Sequence, residues 1–201
     1  DVHAATTCYA FNVTVDDPKF KELRSIGKTI NFAKNYGAQR KRIRKMFPKA
    51  TDAEVDRIND AYYKAFPGVK EYHNYCYRLA DYQSYATNLF GVRYYGVSGH
   101  NLINMLIQGS GAYLLKWKIR QVYDYCKANE IKSRLQMNIH DELSWLKHKD
   151  ELDVFFEFKK IMETWDVTQI PIVAEMDATR TTWAAKKGIN NIEELRKLYA
   201  D

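Results

Sequence analysis

Apolar positions recur every three to four residues through most of the chain up to Asn129 and lose that period beyond Ser133, which predicts helices first and strands later. A short helix is expected over Val2–Phe11, stopped by the turn-prone Val15-Asp16-Asp17-Pro18. A stronger helical pattern runs from Phe20 to Asn35, with Gly37 placed to end it. Thr51-Asp52-Ala53-Glu54 has the form of a capping box and opens a helix that reaches Phe66, before Pro67-Gly68. Val69–Tyr82 reads as a further helix, and Tyr85–Ser98 as a short hairpin around Gly91 and Gly96. His100–Asn129 continues as one long helix. After it, Ser133–Leu146 predicts a strand, a tight acidic turn at His140-Asp141-Glu142 and a returning strand. Glu151–Trp165 is amphipathic, Ile172–Ala178 is β-compatible, and a short charged helix closes the chain from about Asn190. Helices followed by a small antiparallel sheet imply an α+β fold.

Composition narrows the class. A chain of 201 residues, 46% hydrophobic and 28% charged, can bury a real core in one or two domains. No stretch approaches the roughly 18 apolar residues that cross a bilayer, and the first residues carry no basic-then-apolar leader pattern. Cys8, Cys76 and Cys126 are odd in number and far apart, poor material for a disulfide framework. The expectation is a cytoplasmic protein with no membrane partner. The formal charge of +6 points to a polyanionic partner. Its distribution says more: Lys21–Lys49 holds ten basic residues against the single acid Glu22, so the other residues together are net negative.

Within that basic stretch Arg24, Lys28, Phe32 and Tyr36 are spaced four apart. Each step of four advances about 40° beyond a full turn, so the four side chains form one gently winding stripe. Leu23, Ile26, Ile30 and Ala33 make the opposite, apolar stripe. Two cations followed by two rings match the order of a nucleoside triphosphate, phosphates at one end and a flat base at the other. A surface helix whose aromatics are tucked into a core fits the same spacing. Gly27, inside the helix, costs roughly 1 kcal/mol relative to alanine and hints at a close neighbour.

The acidic turn is the second candidate. A carboxylate at a hairpin tip is exposed, firmly aimed and suited to a hard divalent cation, which makes Asp141 a candidate metal ligand. Nucleotidyl transfer commonly uses two such ions about 3.5–4 Å apart. An ordinary polar turn has the same composition. Zinc is the competing metal, from His73 and Cys76 or from His140, but no second pair stands at a zinc-like spacing.

Taken together these residues resemble the family A DNA polymerases. Arg24-x3-Lys28-x3-Phe32-x3-Tyr36-Gly37 is similar to that family's fingers motif, and His140-Asp141-Glu142 to its acidic palm motif. Between and around them, Asp1-Val2-His3, Leu89-Phe90-Gly91-Val92-Arg93, Asn104-x3-Gln108-Gly109 and Trp183 fall where the family carries related residues, so the resemblance extends from Asp1 to about Lys187. It implies a right-hand architecture with fingers over 1–98, the C-terminal part of the palm over 99–188 and a tail over 189–201. It implies template-directed DNA synthesis on primer-template DNA with dNTPs and Mg2+, in a bacterial or phage setting.

The resemblance also implies roles. His3, Arg24 and Lys28 would bind the triphosphate, Lys28 also acting in catalysis. Phe32 would stack on the nucleotide, and its identity as Phe implies poor acceptance of dideoxynucleotides. Tyr36, Arg93, Asn104 and Gln108 would contact DNA. Asp141 would ligate metal, with His140 and Glu142 supporting the primer end. His100, Leu106 and Ala33 stand where many members carry arginine, proline and glycine. The family's second metal-binding aspartate comes from a motif upstream of the segment matched by Asp1-Val2-His3, so an upstream segment or second polypeptide is expected to complete the enzyme, and the 201 residues alone are expected to be inactive. Single-subunit phage-type RNA polymerases share the fingers motif but typically read His-Asp-Ser at the acidic turn. A non-catalytic nucleic-acid-binding relative is the remaining alternative.

Overall fold

The computed structural model describes residues 1–200, which form two compact units whose boundary falls between Ser110 and Gly111. The first unit is mainly helical: α1 (Val2–Phe11), α2 (Phe20–Asn35), α3 (Arg40–Met46), α4 (Asp52–Ala65), α5 (Pro67–Tyr82), the strands β1 (Tyr85–Thr87) and β2 (Arg93–Tyr95), and the start of α6 (Gly99–Ala128). Asp1 caps α1 by accepting from the backbone N–H groups of His3 and Ala4. Thr51 and Glu54 form the expected capping box on α4, with Glu54 accepting from Thr51 N–H at 2.7 Å.

Two differences from the periodicity reading have simple causes. Proline fits the first turn of a helix, where its missing N–H is no loss, so α5 starts at Pro67, two residues before Val69, while α4 ends at Ala65 as the Pro-Gly pair suggests. Helix α3 was not visible in the pattern because only Ile43 of its seven residues is buried. Its Arg40 instead reaches across to Asp56 (2.5 Å) and Asp52 (3.4 Å) on α4.

The core of the first unit has two parts. Ala10, Ile30, Ala38, Ile43, Val55 and Ile58 join α1 to α4 around α2. Cys76, Leu79, Ala86, Leu102, Ile103 and Leu106 join α5, the hairpin and α6. The hairpin pairs Tyr85 with Tyr95, Ala86 with Tyr94 and Thr87 with Arg93, which turns Ala86 inward and the two outer tyrosines to solvent.

Two positions in this unit carry particular constraints. Gly27 is buried against α1: a Cβ there would overlap Thr7 Oγ1 and lie 3.2 Å from the Thr7 Cα. The neighbour hinted at by a mid-helix glycine is therefore α1 itself. Lys34, counted in the sequence among the basic residues of α2, is fully buried. Its ammonium donates to Asn59 Oδ1 (2.6 Å) and the Ala38 carbonyl (3.2 Å), and sits 3.7 Å from the Tyr63 ring centroid. Burial pulls its pKa from 10.5 down to about 8, with Asp60 opposing the shift.

The second unit contains the remainder of α6, the strands β3 (Arg134–Ile139) and β4 (Glu142–Leu146), α7 (Val154–Glu163), the short strands β5 (Asp177–Ala178) and β6 (Lys187–Gly188), and α8 (Ile192–Tyr199). Its core is Val122, Val154 and Phe158, with Trp145 stacked 4.5 Å from Phe158. Buried Lys118 caps the end of α7 by donating to the carbonyls of Ile161 (2.8 Å) and Thr164.

Residues 172–178 do not form the long strand expected of them; only Asp177 and Ala178 pair, with Gly188 and Lys187. The preceding backbone bonds to α7 side chains instead, Ala174 O accepting from Lys159 and Ala174 N–H donating to Glu163. The fold is α+β, with three separate two-stranded antiparallel pairs among the described residues. The terminal segment packs firmly: Leu195 is buried, Arg196 pairs with Asp153, and Tyr199 donates to Thr179 O.

Two outcomes follow from the constrained positions. Gly27→Ala should destabilise the chain by about 1–3 kcal/mol in urea unfolding despite the better helix propensity of alanine, because the Thr7 backbone must move. A wild-type or raised midpoint would contradict the contact. For Lys34, the unfolded chain holds the extra proton between pH about 8 and 10.5, so stability rises with pH across that window. The gain should be on the order of 3 kcal/mol and absent from Lys34→Met, measured as the difference between the two proteins' unfolding free energies at each end of the window.

Candidate functional site

The close approach of α1 to α2 assembles most of the expected nucleotide-binding residues on one surface of the first unit. Arg24 pairs with Asp1 through both Nε (3.1 Å) and Nη2, so the residue that caps α1 also orients the guanidinium. One turn on, Lys28 is exposed, its ammonium 5.8 Å from the Phe32 ring centroid. The His3 ring lies 5.4 Å from that of Phe32, tilted by 46°. Two potential phosphate ligands, His3 and Lys28, thus flank one aromatic side chain, and Arg24 stands one turn before Lys28. Phe32 is 47% and Tyr36 45% exposed, so these rings are not tucked into the core. The opposite side of α2 is held by buried Ile30, with Ile26 and Ala33 packed beside it.

The C-terminal end of α2 carries a second group. Gly37 turns the chain with φ +78°, and a side chain there would run into Ile103 and His100. Tyr36 accepts a hydrogen bond from Gln108 Nε2 at 3.3 Å, which joins two of the four expected DNA contacts. A cleft beside them is lined by Tyr36, Gln39, Lys41, Arg42, Lys45 and His100. Asn104, one turn before Gln108 on α6, is half-buried, and its Oδ1 is shielded from solvent with no hydrogen-bond partner among the described residues. An unmade acceptor of this kind costs about 1–3 kcal/mol and is satisfied when a donor arrives. Arg93 is placed apart from these residues in bonding terms: its guanidinium stacks 4.7 Å from the Tyr85 ring centroid on the hairpin.

Beneath the exposed stripe lies a polar layer of which the sequence reading singled out only His73, as a possible zinc ligand. Asn31 contacts His3, Asn35 donates to Asn31, and Tyr62 donates to Asn35 (2.8 Å). His73 is buried, donates from Nε2 to the Asn35 carbonyl and accepts at Nδ1 from Tyr63. Burial pushes the His73 imidazole below its ordinary pKa, and both of its nitrogens are engaged within the protein. The available signal was Asn31 and Asn35 at a spacing of four beside buried Ile30, polar residues on a face that periodicity assigns to the core.

In the second unit the acidic turn is a two-residue connection. Ile139 pairs with Glu142, leaving His140 and Asp141 at the tip, both exposed. His140 takes the left-handed conformation, φ +54°, as a tight hairpin requires. Among the described residues nothing pairs with the Asp141 carboxylate, and no group of three or more His, Cys, Asp or Glu side chains is placed to hold a metal ion. Glu142 is engaged: it accepts from Trp183 Nε1 (2.9 Å) and Lys186 Nζ (2.9 Å), and Lys186 also meets Asp177 at 3.0 Å. Those two carboxylates hold the Lys186 ammonium above the ordinary lysine value. Sequence reasoning did not single out Lys186. No helix among the described residues is long and apolar enough to cross a membrane.

Comparison with known proteins bears on the family and the fold. DNA polymerase I of Caldicellulosiruptor bescii is 28% identical over 194 residues, covering 88% of this chain and 22% of that protein. DNA polymerase I of Bacillus subtilis is 25% identical over 199 residues, covering 92% of this chain and 22% of that protein. The chain therefore spans about a fifth of the length of these relatives. A solved structure, the POL domain of Pol1 from M. smegmatis in complex with DNA primer-template and dNTP, shares the fold with a TM-score of 0.70 at 24% identity, over 81% of this chain and 31% of that one. The sequence model of DNA polymerase family A matches residues 1–185, and the chain belongs to that family.

Proposed function

We propose that this chain forms the nucleotide-gripping part of a template-directed DNA polymerase and contributes one of its metal-binding aspartates. The observation that carries the reading is that His3 and Lys28 flank exposed Phe32, with Arg24 one turn before Lys28 on the same helix and held by Asp1. Cationic and N–H donors there can meet a triphosphate, while the ring offers a face to the sugar and base. Tyr36, linked to Gln108, would sit beside the nascent pair, and Asn104 and Arg93 would meet the duplex or template strand. The minor-groove edges of all base pairs offer acceptors in similar places, which suits contacts that must tolerate any sequence. We assign 1–98 to the fingers, 99–188 to the palm and 189–201 to a tail.

Asp141 fits a shared Mg2+ site, since Mg2+ is usually held by one or two carboxylates together with substrate phosphates. The bound ions would supply charge neutralisation at the reacting phosphate. His140 flanks that carboxylate. Glu142, tied to Trp183 and Lys186, holds the base of the turn in place while supporting the primer end. The reaction forms a bond between the primer 3′-oxygen and the α-phosphorus and breaks the bond from that phosphorus to the bridging oxygen, releasing pyrophosphate. The protein's part is placement and charge stabilisation. The second aspartate would come from a segment outside these residues.

Primer extension by a polymerase in which this chain is completed by such a segment tests the reading. Asp141→Ala should lower extension by roughly a thousandfold or more while duplex affinity changes little. Near-normal extension would remove the metal role. Lys28→Ala should reduce kcat/KM for dNTP by about ten- to a hundredfold, the worth of one charge-assisted hydrogen bond, with duplex binding nearly unchanged. An equal fall in duplex affinity would contradict the phosphate grip.

A further inference from the structure

Asn31 immediately precedes Phe32 on α2 and is only 1% exposed. The hydrogen bonds around it orient its amide. The Tyr62 hydroxyl donates to Asn35 Oδ1 at 2.8 Å, which turns the Asn35 amino group toward Asn31. Asn35 Nδ2 donates to Asn31 Oδ1 at 2.8 Å, and Tyr62 Oη stands 3.5 Å from the same oxygen. The Asn31 amino group is therefore left facing His3 Nδ1, 3.1 Å away.

An amide NH2 can only donate, so His3 Nδ1 must accept. A neutral imidazole that accepts at Nδ1 carries its proton on Nε2. Were the proton on Nδ1, two donors would face each other and a buried amino group would lose its partner. The other ring nitrogen is open: among the described residues no hydrogen bond engages His3 Nε2. The His3 ring is also braced against Phe32, so the direction of its free N–H is set as well as its identity.

We propose that Asn31 is a positioning residue: with Asn35 and Tyr62 behind it, it locks His3 in the Nε2–H tautomer and so presents a neutral N–H donor to a triphosphate oxygen beside Arg24 and Lys28. This rests on the reading of His3 as a phosphate ligand. The device has a chemical logic. Arg24 and Lys28 supply charge, which attracts any phosphate at long range. A fixed neutral donor adds direction without adding charge. Second-layer groups that settle a histidine tautomer by occupying its other nitrogen are a general means of aiming the first.

The 15N-labelled chain of 201 residues gives a direct test at about pH 8, above the ordinary imidazole range. Two-bond proton–nitrogen correlation spectra report which ring nitrogen is protonated, with the His3 signals identified by their loss in His3→Gln. The expected wild-type pattern is protonated Nε2. Asn31→Leu should give a mixture of tautomers, and Asn31→Asp, which offers an acceptor, should move the proton toward Nδ1. Wild-type protonation on Nδ1 would overturn the proposal whatever Asn31→Leu does, and an unchanged tautomer in folded Asn31→Leu would overturn it as well.

A second arm titrates the chain with dTTP and Mg2+. His3→Ala should weaken binding about ten- to a hundredfold, the size of one hydrogen bond to a charged group, and Asn31→Leu by the factor by which it lowers the Nε2–H population, about twofold for an even mixture. Weakening by His3→Ala but not by Asn31→Leu would overturn the positioning role. If His3→Ala has no effect while the tautomer behaves as expected, the phosphate-ligand reading fails and the orientation of His3 by Asn31 stands.

Discussion

Helix α2 meets α1 where Gly27 lets the Thr7 backbone come within contact distance, and the surface that defines the site depends on that approach. At this separation His3, from the first turn of α1, lies against Phe32, and Asp1 reaches Arg24. A Cβ at position 27 would occupy the place of the Thr7 hydroxyl and crowd the Thr7 backbone by a few tenths of an ångström, so the contact between the two helices would have to readjust. The buried hydroxyls of Thr6 and Thr7 are compatible with the tight interface because each bonds back to a carbonyl of its own helix, Val2 O at 2.9 Å and His3 O at 2.7 Å. The same contact carries the packing and the chemistry.

Below that surface the first unit holds an unusual amount of polar material. Lys34, Asn31 and His73 are all buried, and each is satisfied by side chains or carbonyls from other turns or helices. Such groups are expensive to bury and tolerate few alternative arrangements, because a displaced partner leaves a donor or acceptor stranded. The layer therefore favours one relative placement of α1, α2, α4 and α5 over other packings that would bury similar apolar area. Greasy residues alone would leave more freedom.

The second unit solves a different problem, holding a sharp acidic turn still. Its left-handed residue is a histidine instead of a glycine, a conformation that needs support from its surroundings. Support comes from the C-terminal segment. Trp183 and Lys186 grip Glu142 at the base of the turn, and Lys186 ties it to Asp177 on β5. Helix α8 then closes on the same unit, Tyr199 covering the Lys147 ammonium just beyond β4 at 4.5 Å. Helix α8, to which the sequence alone assigned no role, belongs to the framework of the hairpin.

Local rules explain what could be read in advance. The helices α1, α2, α4 and α6, the capping box at Thr51, the β3–β4 hairpin and the stripe Arg24–Lys28–Phe32–Tyr36 all depend on neighbours within a turn or two, and period and capping chemistry express those neighbours in the sequence. Ordered motifs at matching separations were enough to identify the family. Helix α3 escaped because its stability comes from one buried isoleucine and from carboxylates on another helix. Residues 172–176 escaped because α7 side chains engage both backbone groups of Ala174 where a longer strand would need a partner. What the amino-acid order determined was which side chains share a helix face or a turn. Tertiary structure alone decided that Lys34 is buried, that Asn31 aims His3, that Gln108 meets Tyr36 and that Glu142 is held by Lys186, since each depends on two distant stretches arriving at hydrogen-bonding distance.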